Sequence, residues 1–483
     1  RSALSAKNRP LYWPLFNSEI KSLEKLDVPY FITQADAAHV YASDGLVAQD
    51  IFSQPGVKFL RDHLTDLTEA DKDLQIGLIY SVFSLRFTDK EPTPANAARI
   101  AVTPAKQVDK AAAIKTTALE IAEKIIQKAI VASNSSASWL GLEYMAESER
   151  SLIQPLGHNL HSGNCGIAFF LAGAYKVTGE NRYKQMSLAA LHQVRTAAQQ
   201  NKNNKNLMSE RMSLGAAIGL GSMIYTLSRI SQLIQEPELL ADARLIADFI
   251  TPERIAQDTK IDIMDGAAGA LLGLLALYEP TQAEEILLSA KSCGDHLLKI
   301  RKVAKGGELV WPTTNNRFLT GFSHGAAGIS YALFRLYQAC GQQEYYAAAV
   351  EGIAFETRLY NDQVKNWPDL LRSTDKEIFY GQTWCHGAPG IGLARLGGMP
   401  MFDNPQVRQD IRVALETTSN LFNNGLDTLC CGNAGRWELL LKAGTELQEA
   451  KWVDQAIEEA YRTTQQRMIN GRFQLPYRSE EHT

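Results

Sequence analysis

The sequence predicts an all-α protein: an α/α toroid, a double-layered barrel of about six to seven helical hairpins, with an N-terminal remnant of a preceding domain. Three observations lead there. First, a unit recurs from about residue 150 onward, made of a glycine pair, an apolar helix, a turn and a more polar helix; periods of this size mark helical arrays or closed rings of hairpins. Second, the glycine pairs are Gly163/Gly166, Gly215/Gly219, Gly266/Gly269, Gly325/Gly328, Gly387/Gly390 and Gly432/Gly435, and their second members recur at intervals of 45 to 62 residues. Third, the leading helix of each unit is apolar nearly all round and the trailing one carries charge, which places the former in an inner ring and the latter outside it.

The elements follow in order. Residues 1–88 are mixed: Trp13-Pro14-Leu15-Phe16 and Leu26-Asp27-Val28-Pro29-Tyr30-Phe31 are apolar pieces broken by prolines, and a helix is predicted from about Glu69 to Ser84 with Leu74, Ile76, Ile79 and Val82 on its apolar side. Residues 89–106, with Pro92, Pro94 and Pro104 among alanines and charges, read as a linker. Good helix formers from Ile114 to Ile130 open the main domain, residues 107–483. In the first repeat, Ser162 to Ile167 runs into Phe170, Leu171 and Ala174, then into a turn at Gly179-Glu180 and a second helix from Tyr183 to Val194. In the fourth, Ile329, Ala332, Leu333 and Leu336 fall on one helix face. Glu236-Pro237-Glu238, Asp403-Asn404-Pro405 and Gly444-Thr445-Glu446 read as starts of outer helices. Glycine at the crowded end of the inner ring lets loops approach closely. Those loops would present helix N-termini and polar side chains into the mouth of the ring, where a site drawn from several repeats would lie.

Composition narrows the function. A chain of 483 residues, 45% of them hydrophobic, buries a large core. A net charge of −4 leaves no basic footprint, so nucleic acid is not an expected partner. The longest nearly apolar run, Ala267 to Tyr278, falls short of the roughly 18 residues of a membrane span. No charged-then-apolar leader opens the chain. Six cysteines, two of them adjacent, do not form a disulfide framework in so long a chain and fit a reducing cytoplasm. The chain opens at Arg1 in mid-pattern and is expected to be a piece of something longer.

The chemistry centres on Cys430 and Cys431, adjacent ahead of Gly432. A glycine-rich turn there would aim both sulfurs inward, and thiolates suit a soft metal such as zinc. The third donor is Cys385, in Gln382-Thr383-Trp384-Cys385-His386-Gly387, one repeat earlier. Three protein ligands leave one tetrahedral position open, which separates a catalytic zinc from a structural one. The plainer alternative is that all three pack as small hydrophobes; against it, Cys385 and the pair hold equivalent places, each just before Gly-x-x-Gly. Cys165, Cys293 and Cys340 read as packing residues. Asp262 and Asp265 precede Gly266, and His324 precedes Gly325, so by repeat equivalence these also converge on one cavity. Taken singly, an aspartate before such a helix also serves as an N-cap, and a histidine near a turn often satisfies backbone groups. For Trp384, Trp437 and Arg436 the choice is between lining the mouth and core packing.

The runs Gly-Phe-Ser-His-Gly-Ala-Ala-Gly at 321–328, Trp-Cys-His-Gly-Ala-Pro-Gly at 384–390 and Cys-Cys-Gly-Asn-Ala-Gly at 430–435 resemble those of the lanthionine cyclases, the LanC family, over residues 107–483. Residues 1–88, with Leu67-Thr68-Glu69-Ala70-Asp71 besides the two apolar pieces, are more loosely similar to the end of the dehydratase region that precedes the cyclase in LanM enzymes, the class II lanthipeptide synthetases. The resemblance implies a cytoplasmic zinc enzyme, joined to a preceding dehydratase domain and acting on a dehydrated precursor peptide. In it, cysteine thiols add to dehydroalanine or dehydrobutyrine to form (methyl)lanthionine thioether rings. It also implies Cys385, Cys430 and Cys431 as ligands of one zinc ion, His324 as the acid/base group and Asp262 as its aspartate, with Asp265 competing for that role. Many relatives carry Cys-His at the last pair; Cys-Cys here is similar to the all-cysteine subgroup. His386 either orients Cys385 or is a turn residue. The chemistry agrees, since a free thiol is only a few per cent thiolate at neutral pH, and addition leaves an enolate that needs a proton. Two other functions compete: a different zinc-dependent thiol-alkylating enzyme, for which a basic cluster in the mouth would be expected if it used a diphosphate, and a non-catalytic zinc-stabilised ring that binds peptide.

Overall fold

The computed structural model describes residues 12–43, 45–87, 108–145, 150–200, 212–420 and 425–475. The chain divides into two compact units, Arg1–Ala95 and Asn96–Thr483. The linker expected at 89–106 lies outside the described residues.

In the first unit a 3-10 turn, Trp13–Leu15, leads into α1 (Phe16–Glu24), followed by an antiparallel pair of strands (Val40–Ala42 and Gly45–Ala48), α2 (Gly56–Asp66) and α3 (Glu69–Phe87). The predicted helix from Glu69 is α3. Thr68 starts it: its hydroxyl accepts from the Asp71 amide at 3.2 Å while the Asp71 carboxylate accepts from the Thr68 amide at 2.9 Å, a reciprocal cap. The expected apolar side stays uncovered, with Leu74, Ile76 and Ile79 all exposed; the buried cluster here is Val40, Ala48 and Ile51.

Among the described residues the second unit opens with α4 (Lys110–Gln127) and two short antiparallel hairpins, then contains six helix pairs. These are α5 (Asn164–Thr178) with α6 (Asn181–Gln200), and α7 (Leu220–Ile234) with α8 (Glu238–Ala247). After the short α9 (Pro252–Gln257) come α10 (Ala267–Thr281) with α11 (Glu284–Lys299), α12 (Ala326–Cys340) with α13 (Gln343–Leu359), α14 (Ala388–Gly398) with α15 (Pro405–Ser419), and α16 (Asn433–Glu446) with α17 (Ala450–Asn470). Each leading helix packs on its own partner and on the leading helix of the next pair, while α4 packs on both α17 and α5 and so links the last pair to the first. The inner and outer layers of the predicted all-α toroid are therefore present.

The two layers follow from the apolar patterns. In α10, Ala267, Leu271, Leu274 and Leu277 are fully buried, and with Ile329, Leu333, Ile391, Leu439 and their neighbours they form one continuous core. Each such large side chain contributes roughly 1.5–3 kcal/mol by leaving water. Tight turns return the chain outward through left-handed residues, Gly179 (φ 74°) after α5 and Gly341 (φ 71°) after α12.

Two expectations change. In the second repeat Gly219 is the residue that begins the helix, so it corresponds to Gly163, Gly266, Gly325, Gly387 and Gly432, and Gly215 lies ahead of the unit. The Gly444-Thr445-Glu446 start signal is not used: α16 runs through Glu446, the Thr445 hydroxyl donates to the Leu441 carbonyl within the helix, and α17 begins only after Glu449. Gly444 instead lets the start of α17 approach closely, since a Cβ there would overlap Val453.

Candidate active site and metal centre

The site is built at the N-terminal ends of the inner helices. Helix starts leave amide donors unsatisfied, and a glycine at the first position offers no side chain to meet them. Other segments supply the acceptors. Asp258 Oδ2 accepts from the Ala267 amide at 2.7 Å, Glu356 Oε1 from Ala327 at 3.0 Å and Asn366 Oδ1 from Ala388 at 2.9 Å. In five of the six repeats the glycine three residues further on abuts the carbonyl oxygen six residues before it. A Cβ at Gly328 would overlap the Phe322 carbonyl, and one at Gly390 the Trp384 carbonyl. These glycines let each rim loop fold flat over its helix.

Flat loops can hydrogen bond to one another, and here they do. The Ala216 amide donates to the Ile263 carbonyl (2.9 Å), the Ile263 amide to the Ser323 carbonyl (3.1 Å) and the Phe322 amide to the Cys385 carbonyl (3.0 Å). The Ser323 amide and hydroxyl also reach the Cys385 carbonyl, each at 3.3 Å. The loops carrying Asp262, His324 and Cys385 are thus one stitched surface.

On it, His324 Nδ1 lies 2.7 Å from Asp262 Oδ2. Asp262 is 2% exposed, and its Oδ1 accepts from the Asp265 amide at 2.8 Å. Of the two candidate carboxylates, Asp262 is the one that reaches His324. Asp265 stands beside it; burial pushes its carboxyl above the usual range, a hydrogen bond from Ser213 opposes this, and the Asp262 charge adds to it.

Cys385, Cys430 and Cys431 also come together, with all three sulfurs within 4.8 Å of one another. Cys431 Sγ is 3.6 Å from Cys385 Sγ and 3.4 Å from Cys430 Sγ. Thiolates sharing a tetrahedral zinc at about 2.3 Å would sit about 3.8 Å apart, so these two spacings fit one ion. The Cys385 and Cys430 sulfurs are in direct contact, on Cα atoms 6.0 Å apart. Soft donors, convergent placement and a site drawn from two repeats match what zinc requires. Cys165 and Cys293 are fully buried in the core, where burial pushes the Cys165 thiol up to about 12 and raises Cys293 as well.

The neighbours resolve as follows. The His386 carbonyl closes a turn with the Thr383 amide (3.0 Å), while its ring lies face to face with His324 at 6.0 Å. Its Nδ1 is 3.6 Å from Asp369 Oδ1, and burial lowers the imidazole below its usual range with Asp369 opposing. Arg436 is buried and donates to the Gln382 carbonyl and to Asn433 Oδ1, both at 3.0 Å, tying α16 to the Cys385 loop. Trp384 packs against Phe322 at 5.1 Å. Sequence reasoning missed Glu356, Asn366 and Asp369, none of which stands beside a glycine pair or in a pattern that marks it.

Among the described residues no helix is long and apolar enough to cross a membrane. The family model for lanthionine synthetase C-like proteins matches residues 154–480. The lacticin 481/lactococcin biosynthesis protein LcnDR2 of Lactococcus lactis subsp. lactis is 23% identical over 397 residues, which is 81% of this chain and 39% of that protein. Among solved structures, nisin cyclase superposes with a TM-score of 0.50 at 17% identity, over 64% of this chain and 82% of that one; the likeness shows a shared fold.

Proposed function

The chain belongs to the lanthionine synthetase C-like family, and from that premise we propose that it closes (methyl)lanthionine thioether rings in a dehydrated precursor peptide. The observation that carries this reading is the His324–Asp262 pair, held on a loop whose backbone is bonded to the Cys385 loop beside three convergent sulfurs.

In this reading Cys385, Cys430 and Cys431 would hold one zinc ion, whose Lewis acidity would favour the thiolate form of a substrate cysteine at neutral pH. The chain's own residues do the rest. The substrate sulfur forms a bond to the β-carbon of dehydroalanine or dehydrobutyrine, the alkene π pair moves toward the adjacent carbonyl, and an enolate results. Asp262 accepts from His324 Nδ1, which leaves Nε2 as the nitrogen that exchanges protons. His324 takes up the proton that the substrate thiol gives up, buried Asp262 stabilises the resulting imidazolium, and Nε2 then delivers that proton to Cα. The His386 ring stacks beside His324 at 6.0 Å and narrows the space around its imidazole.

The same premise suggests that residues 107–483 form the cyclase domain and residues 1–88 the tail of a dehydratase region joined ahead of it. The match to LcnDR2, which covers 39% of that longer protein, supports this arrangement. Incubating the protein with a dehydrated, cysteine-containing peptide tests the function. Ring closure leaves mass unchanged, so thiol alkylation followed by mass spectrometry reports it as lost alkylation. Full alkylation after long incubation with zinc-loaded protein would sink the proposal.

A further inference from the structure

Glu356 lies on outer helix α13, fully buried. A buried carboxylate in that position is costly unless it is well hydrogen-bonded, and here both oxygens are engaged. Oε1 accepts from the Gly321 amide at 2.9 Å and from the Ala327 amide at 3.0 Å, the two ends of the segment that carries His324. Oε2 accepts from Arg395 Nη2 at 2.9 Å. Arg395, 1% exposed, stands on α14, the inner helix that the Cys385 loop enters, and its Nε donates to Asp410 Oδ2 at 3.1 Å on α15. Gln406 holds the other Asp410 oxygen at 2.8 Å.

A triad of this kind is not an economical way to hold a fold together, since well-packed apolar side chains often do as well or better. The neighbouring inner helices are capped more simply, α10 by Asp258 and α14 by Asn366, each from the loop just ahead of the helix. Only at α12, among the described residues, is the cap carboxylate also locked to the next inner helix by a buried arginine. The difference falls at the repeat that carries His324.

We propose that Glu356, clamped by Arg395, is a positioning residue for ring closure, setting the spacing between the His324 loop and the Cys385 loop. This rests on the ring-closing function proposed above. Glu356 reaches no reacting atom; it acts by fixing both ends of the Gly321–Ala327 segment to α14, so that the Phe322–Cys385 backbone bond and the His324–Asp262 pair form together.

Two near-isosteric variants separate positioning from plain stability. In Glu356→Gln the carboxamide has one acceptor oxygen where the carboxylate has two, so it serves either the loop or Arg395. Asp410→Asn disturbs the far side of the same triad without touching the loop. Both variants should melt at lower temperature than the parent. Assayed with zinc-loaded protein where both are folded, Glu356→Gln should lose about tenfold or more in kcat with KM nearly unchanged, because small misplacements of a proton donor are costly, while Asp410→Asn should stay within about twofold. Hydrogen exchange followed by mass spectrometry gives a readout that needs no activity: the peptide spanning Gly321 to Ala327 should exchange faster in Glu356→Gln and at the parent rate in Asp410→Asn. Parent-like exchange in Glu356→Gln, or equal loss of kcat in both variants, overturns the proposal. If the parent closes no rings, the proposed function fails on that control, while exchange still decides whether Glu356 holds the loop. If Glu356→Gln does not fold, Arg395→Lys carries the same test, since lysine reaches Glu356 or Asp410 but not both: faster exchange and lower kcat support positioning, and parent behaviour overturns it.

Discussion

His324 Nδ1 and Asp262 Oδ2 meet at 2.7 Å although they stand 62 residues apart on the rim loops of successive hairpins. The contact fixes the orientation of the imidazole, with Nδ1 turned to the carboxylate.

From this geometry Asp262→Asn should keep the fold and the metal but slow ring closure by roughly 10²–10⁴-fold, the range lost when a general acid or its orienting carboxylate is removed. Asp265→Asn should cost far less, because the hydrogen bond that orients the His324 ring is made to Asp262. Alkylation-coupled mass spectrometry on the two variants decides it, and a larger loss for Asp265→Asn would reverse the assignment.

Cys431→His addresses the all-sulfur donor set. Replacing a thiolate by a neutral imidazole leaves more positive charge to be shared with the substrate sulfur and makes that sulfur a poorer nucleophile. The variant should retain about one zinc per chain and close rings several-fold more slowly. Unchanged or faster closure at full metal content would count against the electronic account.

Removing the metal should expose a redox liability. Cys385 and Cys430, with Cα atoms 6.0 Å apart, satisfy the separation a disulfide needs. After chelation in air, intact-mass and peptide mapping should find that pair cross-linked, whereas zinc-loaded protein should resist. A chelated sample that stays fully reduced, or that cross-links just as fast with zinc bound, would be the contrary result.

Two glycine substitutions should act with opposite sign. Gly328→Ala places a Cβ into the Phe322 carbonyl and should cost several kcal/mol or abolish soluble expression, as overpacking against fixed backbone does. Gly173→Ala, inside α5 with nothing within 4 Å, should stabilise by about 0.5–1 kcal/mol. Thermal melts of the pair test whether the glycines serve rim packing specifically.

How much was legible in the sequence depends on whether the repeat displayed it. Cys385, Cys430, Cys431, His324 and Asp262 precede equivalent glycines, so their convergence follows once the hairpins are aligned. The second repeat was misaligned because Gly215 mimics a first glycine; its amide bonds the Asp265 carbonyl in the next loop, a relationship no local pattern reveals. Glu356, Arg395 and Asp410 were invisible for a different reason. Each stands on a separate helix in ordinary surroundings, and only the packing of α13, α14 and α15 makes them a unit. Asn366 and Asp369 lie in a long crossover with no periodicity to read.

The crossovers at residues 300–325 and 360–387 both enter where an outer helix hands over to the next inner one, at the end of the barrel that carries the cysteines. Added chain there lengthens the rim loops without altering how many staves the barrel has or how they lean on each other. Loop length at the brim can therefore vary while the hairpins keep their mutual packing, so long as Asn366 and Cys385 hold their places at the start of α14.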